Sequence, residues 1–266
     1  MKTRLLARWL SSILAVASLS IAAAVSAADV RVMISAGFFE AYSDLAPDFE
    51  RTTGHHLITI RGPSVGDSPE AIPNRLKRGE PCDVLLMIGG SIDDLARQGF
   101  VRAGSKVDLA RSEIGMVVRA GAAKPDISTV DAFRRTLLDA KSIAYSDSGS
   151  GIYLSTTLFP QLGIADQILG KSRKVRGPPS GEPVAAVVAR GDPEIGFQQV
   201  AELIHVPGVT FVGPIPAQLQ PETLYSGAIV TNATQPDAAQ ALIRYIASPD
   251  AAPAIAKAGL KPLSTR

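Results

Sequence analysis

Short apolar runs alternate with longer stretches of helical period from residue 29 onward. "DVRVMIS" reads as a strand, "FFEAYSDLAPDFERTTG" as a helix with Gly54 near its end, "HHLITIRG" as a strand, "SPEAIPNRLKRGE" as a helix, "CDVLLMIG" as a strand and "SIDDLARQG" as a helix. After "GSKVDLARSEIG" a second set opens with the strand "MVVRA". It continues with the helix "TVDAFRRTLLDA", the strand "SIAYS", a helix from Ile152 to about Leu162, the helix "GEPVAAVVARG" and the strands "EIGFQQ" and "VTFVG". "LYSGAIVTN" and the helices "QPDAAQALIRYIAS" and "PDAAPAIAKAGL" close the chain. Regular alternation of this kind predicts an α/β fold, with mixed sheets covered by helices on both faces. Two such sets predict two lobes with a cleft between them, onto which the loops at the carboxyl ends of the strands open. The Pro-rich "VGPIPAQLQPE", Val212 to Glu222, reads as an extended connector back to the first lobe.

The first 27 residues stand outside this pattern. Lys2, Arg4 and Arg8 precede an apolar stretch from Leu10 to Val25, and Val25-Ser26-Ala27 is a small-x-small cleavage pattern. A secretory signal peptide over 1–27 is expected, and with it a periplasmic protein that has no membrane insertion after cleavage. That segment holds three of the 27 Lys and Arg and none of the 25 Asp and Glu, which leaves 24 basic against 25 acidic residues. A chain with no basic surplus lacks the footprint of a nucleic-acid binder. Cys82 is the one cysteine, so an intramolecular disulfide is impossible, and its place before the apolar run of "GEPCDVLLM" reads as a buried small hydrophobe. His55 and His56 are adjacent and His205 is remote, a spacing that makes no metal site. No P-loop or G-x-G-x-x-G motif is present, and neither a metal nor an organic cofactor is expected.

Three strand-to-helix loops share one chemistry. "ISAGFFEAY" places Ser35 and Gly37, "RGPSVGDSPEAI" places Ser64, Gly66 and Ser68, and "YSDSGSGIY" places Ser148, Gly149, Ser150 and Gly151 ahead of helices. Helix amino ends expose unpaired N–H groups and the positive end of the macrodipole, glycine admits a ligand to the backbone, and serine adds a hydroxyl donor. Each loop taken alone equally fits ordinary helix capping. Together they describe an anion site of neutral donors: Ser35, Gly37, Ser64, Gly66, Ser150 and Gly151, with Gln199 of "GFQQ" as a further amide at the end of an apolar run. Arg61 and Arg75 bracket the second loop and suit carboxylates, although Arg75 shares its helix with Lys77 and Arg78, as a solvated basic face would.

At these loops, and at "RLKRGEPCDVLLM", "VARGDPEIGF" and "SPDAAPAIAKAGL", the chain resembles the periplasmic molybdate-binding family of type II solute-binding proteins. The resemblance implies a two-lobed monomer that closes on a small anionic ligand and delivers it to an ABC permease. The chain would cross between lobes near Glu113 and Gly227, giving 28–112 plus 228–266 as lobe I and 113–227 as lobe II. The family places a serine where this chain aligns Gly37 and a tyrosine where it has Gln199. Loss of two cage donors disfavours molybdate or tungstate, and an amide with a nearby arginine suits an organic di- or tricarboxylate better. The patterns "GPSVGDSP", "GEPCDV" and "GFQQ" resemble the aconitate isomerase-like branch, which implies an allylic proton shift between trans- and cis-aconitate. For that reaction Tyr153, Tyr145 and Ser64 are candidate proton carriers, with Arg61 or Arg75 holding carboxylates. Three readings therefore stand: an organic-anion carrier, an isomerase, and a molybdate or tungstate carrier.

Overall fold

The computed structural model describes residues 27–263, so the expected signal peptide, apart from Ala27, lies outside the described residues. Two mixed sheets organise the chain. The first contains β1 (Asp29–Ile34), β2 (His56–Arg61), β3 (Val84–Ile88), β4 (Val107–Ser112), β10 (Thr223–Ile229) and β11 (Lys261–Pro262), in the spatial order β11-β4-β10-β3-β1-β2. The second contains β5 (Ile114–Arg119), β6 (Ile143–Ser146), β7 (Ser172–Val175), β8 (Ile195–Gln199) and β9 (Val209–Pro214), in the order β7-β6-β8-β5-β9. β1 pairs in parallel with β2 and β3, and β6 in parallel with β7 and β8, while β10 and β5 run antiparallel to their neighbours.

Period-two alternation explains why β3 reads as one unbroken apolar run. Val84 and Leu86 point into one core and Leu85 and Met87 into another, all fully buried, as a central strand covered on both faces requires. The first core is closed by α1 (Ala36–Thr53), α9 (Pro236–Ile246) and α10 (Ala252–Lys257), the second by α2 (Ile72–Lys77) and α3 (Gly89–Arg97). On α1 the buried Phe38, Ala41, Tyr42, Leu45 and Phe49 make a single helical stripe, and Gly54 ends the helix in the left-handed region at φ 74°. In the second lobe α4 (Val130–Asp139), α5 (Gly149–Tyr153), α6 (Phe159–Gln161) and α7 (Ala165–Ile168) cover one face and α8 (Val184–Ala189) the other.

The Asp of "GEPCDV" is structural. Asp83 is 1% exposed and accepts from Arg31 N at 2.8 Å, Thr234 N at 2.7 Å, Gln235 N at 3.0 Å and the Thr234 hydroxyl at 3.0 Å. One carboxylate thereby ties the start of β3 to β1 and to the amino end of α9. Cys82 beside it is buried, and burial pushes its thiol up to about 12.

Four expectations need correction. The helix expected from Ser68 begins only at Ile72, because Pro63 to Ala71 is spent on a loop. The helix expected from Ile152 begins at Gly149, and its register widens to a π-turn over Leu154–Leu158 just before Pro160, whose nitrogen has no hydrogen to donate. "SRKV" forms the edge strand β7, which carries too little apolar pattern to be read as one. The return to the first sheet lies between Pro214 and Thr223, upstream of Gly227, since Thr223 already pairs with Ser112.

Candidate functional site

A cavity lies between the two sheets. Ser35, Gly37, Ser64, Ser150 and Gln199 all line it, together with Ile88, Asp147, Gln198, Glu202 and Tyr225. Gly66 and Gly151 do not. Gly66 lines a neighbouring hollow with Lys174 and Arg176. Gly151 serves packing, because a Cβ there would lie 1.6 Å from the carbonyl oxygen of Ser146, so only glycine lets α5 sit on the end of β6.

The donors are free, and the hydrogen-bond network says why. Ser35 stands at the N-cap position of the 18-residue α1 but makes no capping bond, and its buried hydroxyl has no partner of ordinary geometry. The Tyr225 phenol, pushed well above its usual range by burial, is close enough to Ser35 to feel its hydroxyl, which would lower it, but the pair falls short of hydrogen-bond geometry. Ser64 accepts from Ile88 N at 3.1 Å, which leaves its own hydrogen available. Ser146 accepts from Ser148 Oγ and Gly151 N, both at 3.3 Å, so it donates to Ser150 at 3.0 Å and the Ser150 hydrogen is released. Ser112 donates to Gln199 Oε1 at 2.6 Å, which turns the Gln199 amide nitrogen away from that bond. Ser35, Ser64, Ser150 and Gln199 are each at least 96% buried, so these hydrogens have little water to satisfy them.

The lobes touch across this cavity. A Cβ on Gly149 would lie 2.7 Å from Ile88 Cδ1, and within the first lobe one on Gly37 would lie 1.9 Å from the Tyr225 hydroxyl. Gly37 therefore makes room for a phenol above the amino end of α1. Ser64, by contrast, reaches the cavity from a loop well before α2, so its contribution is a hydroxyl without a helix dipole.

Glu202 introduces a different chemistry. It follows β8 in a 3-10 turn, Val200–Glu202, whose Ala201 is buried in the core of the first lobe. Gln198 Oε1 accepts from Val184 N at 3.1 Å, which orients its amide nitrogen to donate to Glu202 Oε2. Burial raises the Glu202 carboxyl to about 8, against the lowering effects of the Gln198 bond and of Arg61. Arg61 lines an adjoining hollow with Glu202, its guanidinium 3.9 Å over the Phe39 ring and its Nε without a hydrogen-bond partner. Desolvation lowers Arg61 from its ordinary value.

The remaining residues weighed from sequence lie elsewhere. Arg75 bonds Glu80 and the Glu70 carbonyl, Tyr145 packs edge-on against Phe159 in the core, and the Tyr153 hydroxyl donates to Leu219 O at 2.8 Å beside the cavity. Sequence reading missed Glu202 and Tyr225. The bare α-carbon of Gly37 was the available signal for the phenol, since a missing side chain at a helix mouth leaves space for something else. Among the described residues no cluster of three His, Cys, Asp or Glu is placed to hold a metal, and no helix is long and apolar enough to cross a membrane.

The model of the family described as bacterial extracellular solute-binding protein matches residues 30–261. The chain belongs to that family. It is 49% identical over 250 residues to an aconitate isomerase of a Pseudomonas species, covering 94% of each chain. It is 27% identical over 236 residues to the molybdate-binding protein ModA of Azotobacter vinelandii, covering 87% of this chain and 89% of that one. Among solved structures, the periplasmic molybdate-binding protein of A. vinelandii superposes with a TM-score of 0.68 at 22% identity, over 87% of this chain and 98% of that one. The sulfate-binding protein SubI of Mycobacterium tuberculosis also superposes at 0.68 and 22%, over 89% and 87%. The two superpositions establish the shared two-lobed α/β fold.

Proposed function

We propose that this protein is a periplasmic isomerase that interconverts trans- and cis-aconitate, or a closely similar unsaturated tricarboxylate, by moving a proton across an allylic system. The observation that carries the reading is the convergence, in one cavity between the lobes, of the Ser35, Ser64 and Ser150 hydroxyls with the carboxyl of Glu202. The donors suit carboxylate oxygens, and a charge that spreads onto one of them during the reaction meets preorganised dipoles. A proton-transfer reaction also needs an acid or base within reach. The named relative at 49% identity supports the same reading.

A carrier for an organic anion is the second reading, favoured by family membership and by the two-lobed fold. Incubation of the purified mature protein with trans-aconitate, followed by chromatographic separation of the isomers, distinguishes the two. Appearance of cis-aconitate is expected. Tight binding of trans-aconitate by calorimetry with no conversion at high protein concentration would leave the carrier, and tight molybdate binding with aconitate silent would overturn both.

A further inference from the structure

We propose that Glu202 is the proton carrier of the site, taking a proton from the methylene carbon of the bound tricarboxylate and returning it to the carbon that was vinylic. The assignment rests on the isomerase reading. In the first step the C–H electron pair of the methylene group becomes the new double bond, and the old double bond shifts its pair onto its attached carboxylate, which becomes a dianionic aci-carboxylate. In the second step that pair returns and forms a C–H bond with the proton that Glu202 holds. Atoms and charge balance with no co-reactant.

Three features of the fold single out this side chain. It lines the donor cavity, so it reaches the same ligand that Ser35, Ser64 and Ser150 hold. Its position is fixed from behind: the amide of Gln198, pinned by Val184 N, holds one carboxyl oxygen, and Ala201 anchors the turn in the first lobe's core. Its environment keeps proton transfer close to balance. The charged and titratable groups that bear on it are Arg61 of β2, Tyr225 of β10, Glu40 of α1 through Arg61, and His205 in the adjoining hollow. Burial outweighs the single cation among them, and a carboxyl near 8 is a stronger base, once ionised, than an exposed one.

The competing groups are committed. Asp147 accepts from Gly177 N at 3.2 Å and has Arg176 Nε 3.9 Å from its other oxygen, so it ties its loop to the Arg176–Gly177 turn. The Tyr225 phenol is raised well above 10, which suits it to donate a hydrogen bond to the aci-carboxylate and not to remove a carbon-bound proton. Tyr153 spends its hydrogen on Leu219 O.

The test compares the full mature wild type with Glu202→Gln, which keeps the shape and can still accept from Gln198. Conversion of trans-aconitate and its calorimetric binding are measured on both. Turnover is expected to fall by about 10²–10⁴-fold in Glu202→Gln, with affinity held within a few-fold. Retention of more than a tenth of wild-type turnover, with the wild type active, overturns the assignment alone. An inactive wild type overturns the functional reading, and this assignment with it. The pH profile of wild-type kcat/KM gives a second readout that does not depend on the variant's folding. A limb rising with pH through a midpoint near 8 is expected, and a flat profile between pH 6 and 9 overturns the role.

Discussion

Gly37→Ala tests the link between packing and ligand grip most directly. The new Cβ would lie 1.9 Å from the Tyr225 hydroxyl oxygen and 2.7 Å from Cζ, where carbon contacts settle at about 3.5–4.0 Å. The hydroxyl end of the ring must therefore retreat by roughly 1.5–2 Å and Cζ by about 1 Å. It has little freedom to do so, being 2% exposed and stacked on Phe38 at a centroid distance of 5.8 Å. Overpacking of this kind costs about 1–3 kcal/mol. For a chain of this length that lowers the melting temperature by roughly 2–10 °C. Retreat of the phenol also removes a donor from the cavity, and one lost bond to an anionic oxygen weakens binding about 10- to 100-fold. Thermal unfolding and titration with trans-aconitate read the two effects separately. Tyr225→Phe removes the oxygen of the 1.9 Å contact and leaves the 2.7 Å one, so in Gly37→Ala/Tyr225→Phe the stability losses should fall short of additivity by about 0.5–2 kcal/mol. A Gly37→Ala protein that melts with the wild type and binds as tightly, or a double variant whose costs simply add, would refute the reasoning.

Asp83→Ala should cost about 2–3 kcal/mol in urea unfolding, because three N–H groups and a hydroxyl lose the one buried carboxylate they share; a loss below 1 kcal/mol would show that water takes over its role. Without ligand, Glu202 contributes a pH dependence whose sign follows from its raised value. Its neutral form fits the fold, so its stabilising contribution is complete below its ordinary value of 4.5 and declines as pH rises toward 8. Glu202→Gln should therefore match the wild type at pH 4 and exceed it at pH 8.5 by about 2–4 kcal/mol, less than full linkage because the cavity wall stays partly hydrated; equal differences at both pH values would contradict the buried-acid assignment.

The fold was legible because its signals are local. Gly54 ends α1, the period-two runs mark β1 and β3, and the alternation of strand and helix announces mixed sheets with helices on both faces. The donor loops were legible for the same reason, since Ser and Gly at the starts of α1 and α5 need no tertiary information to be read as a helix mouth. What sequence cannot hold is the identity of the residue opposite. Tyr225 is 188 positions from Gly37, and only the antiparallel placement of β10 beside β3 brings them together. Glu202 follows an apolar strand, where a solvated acid is the ordinary expectation. Its burial comes from Ala201 docking into the other lobe. Ser35 also looks like a capping residue in sequence, and only the absence of a capping bond in three dimensions separates a ligand donor from a cap.

That distinction explains why a cradle of neutral donors suits proton transfer. An arginine or lysine set against the ligand at Ser35 or Ser150 would grip a tricarboxylate more strongly, but it would also stabilise the ionised form of Glu202 and pull its pKa back toward 4.5. Such a carboxylate is too weak a base for a carbon-bound proton. Hydroxyl and amide dipoles avoid that conflict, since they can turn toward a developing charge without carrying a full charge of their own. Arg61 occupies the compromise position, beside Glu202 in an adjoining hollow and stacked on Phe39, where it reaches the acid through space while its desolvated guanidinium stays outside the donor cavity. On the isomerase reading, the same economy of charge lets one crevice both hold a polyanion and keep a base strong enough to work on it.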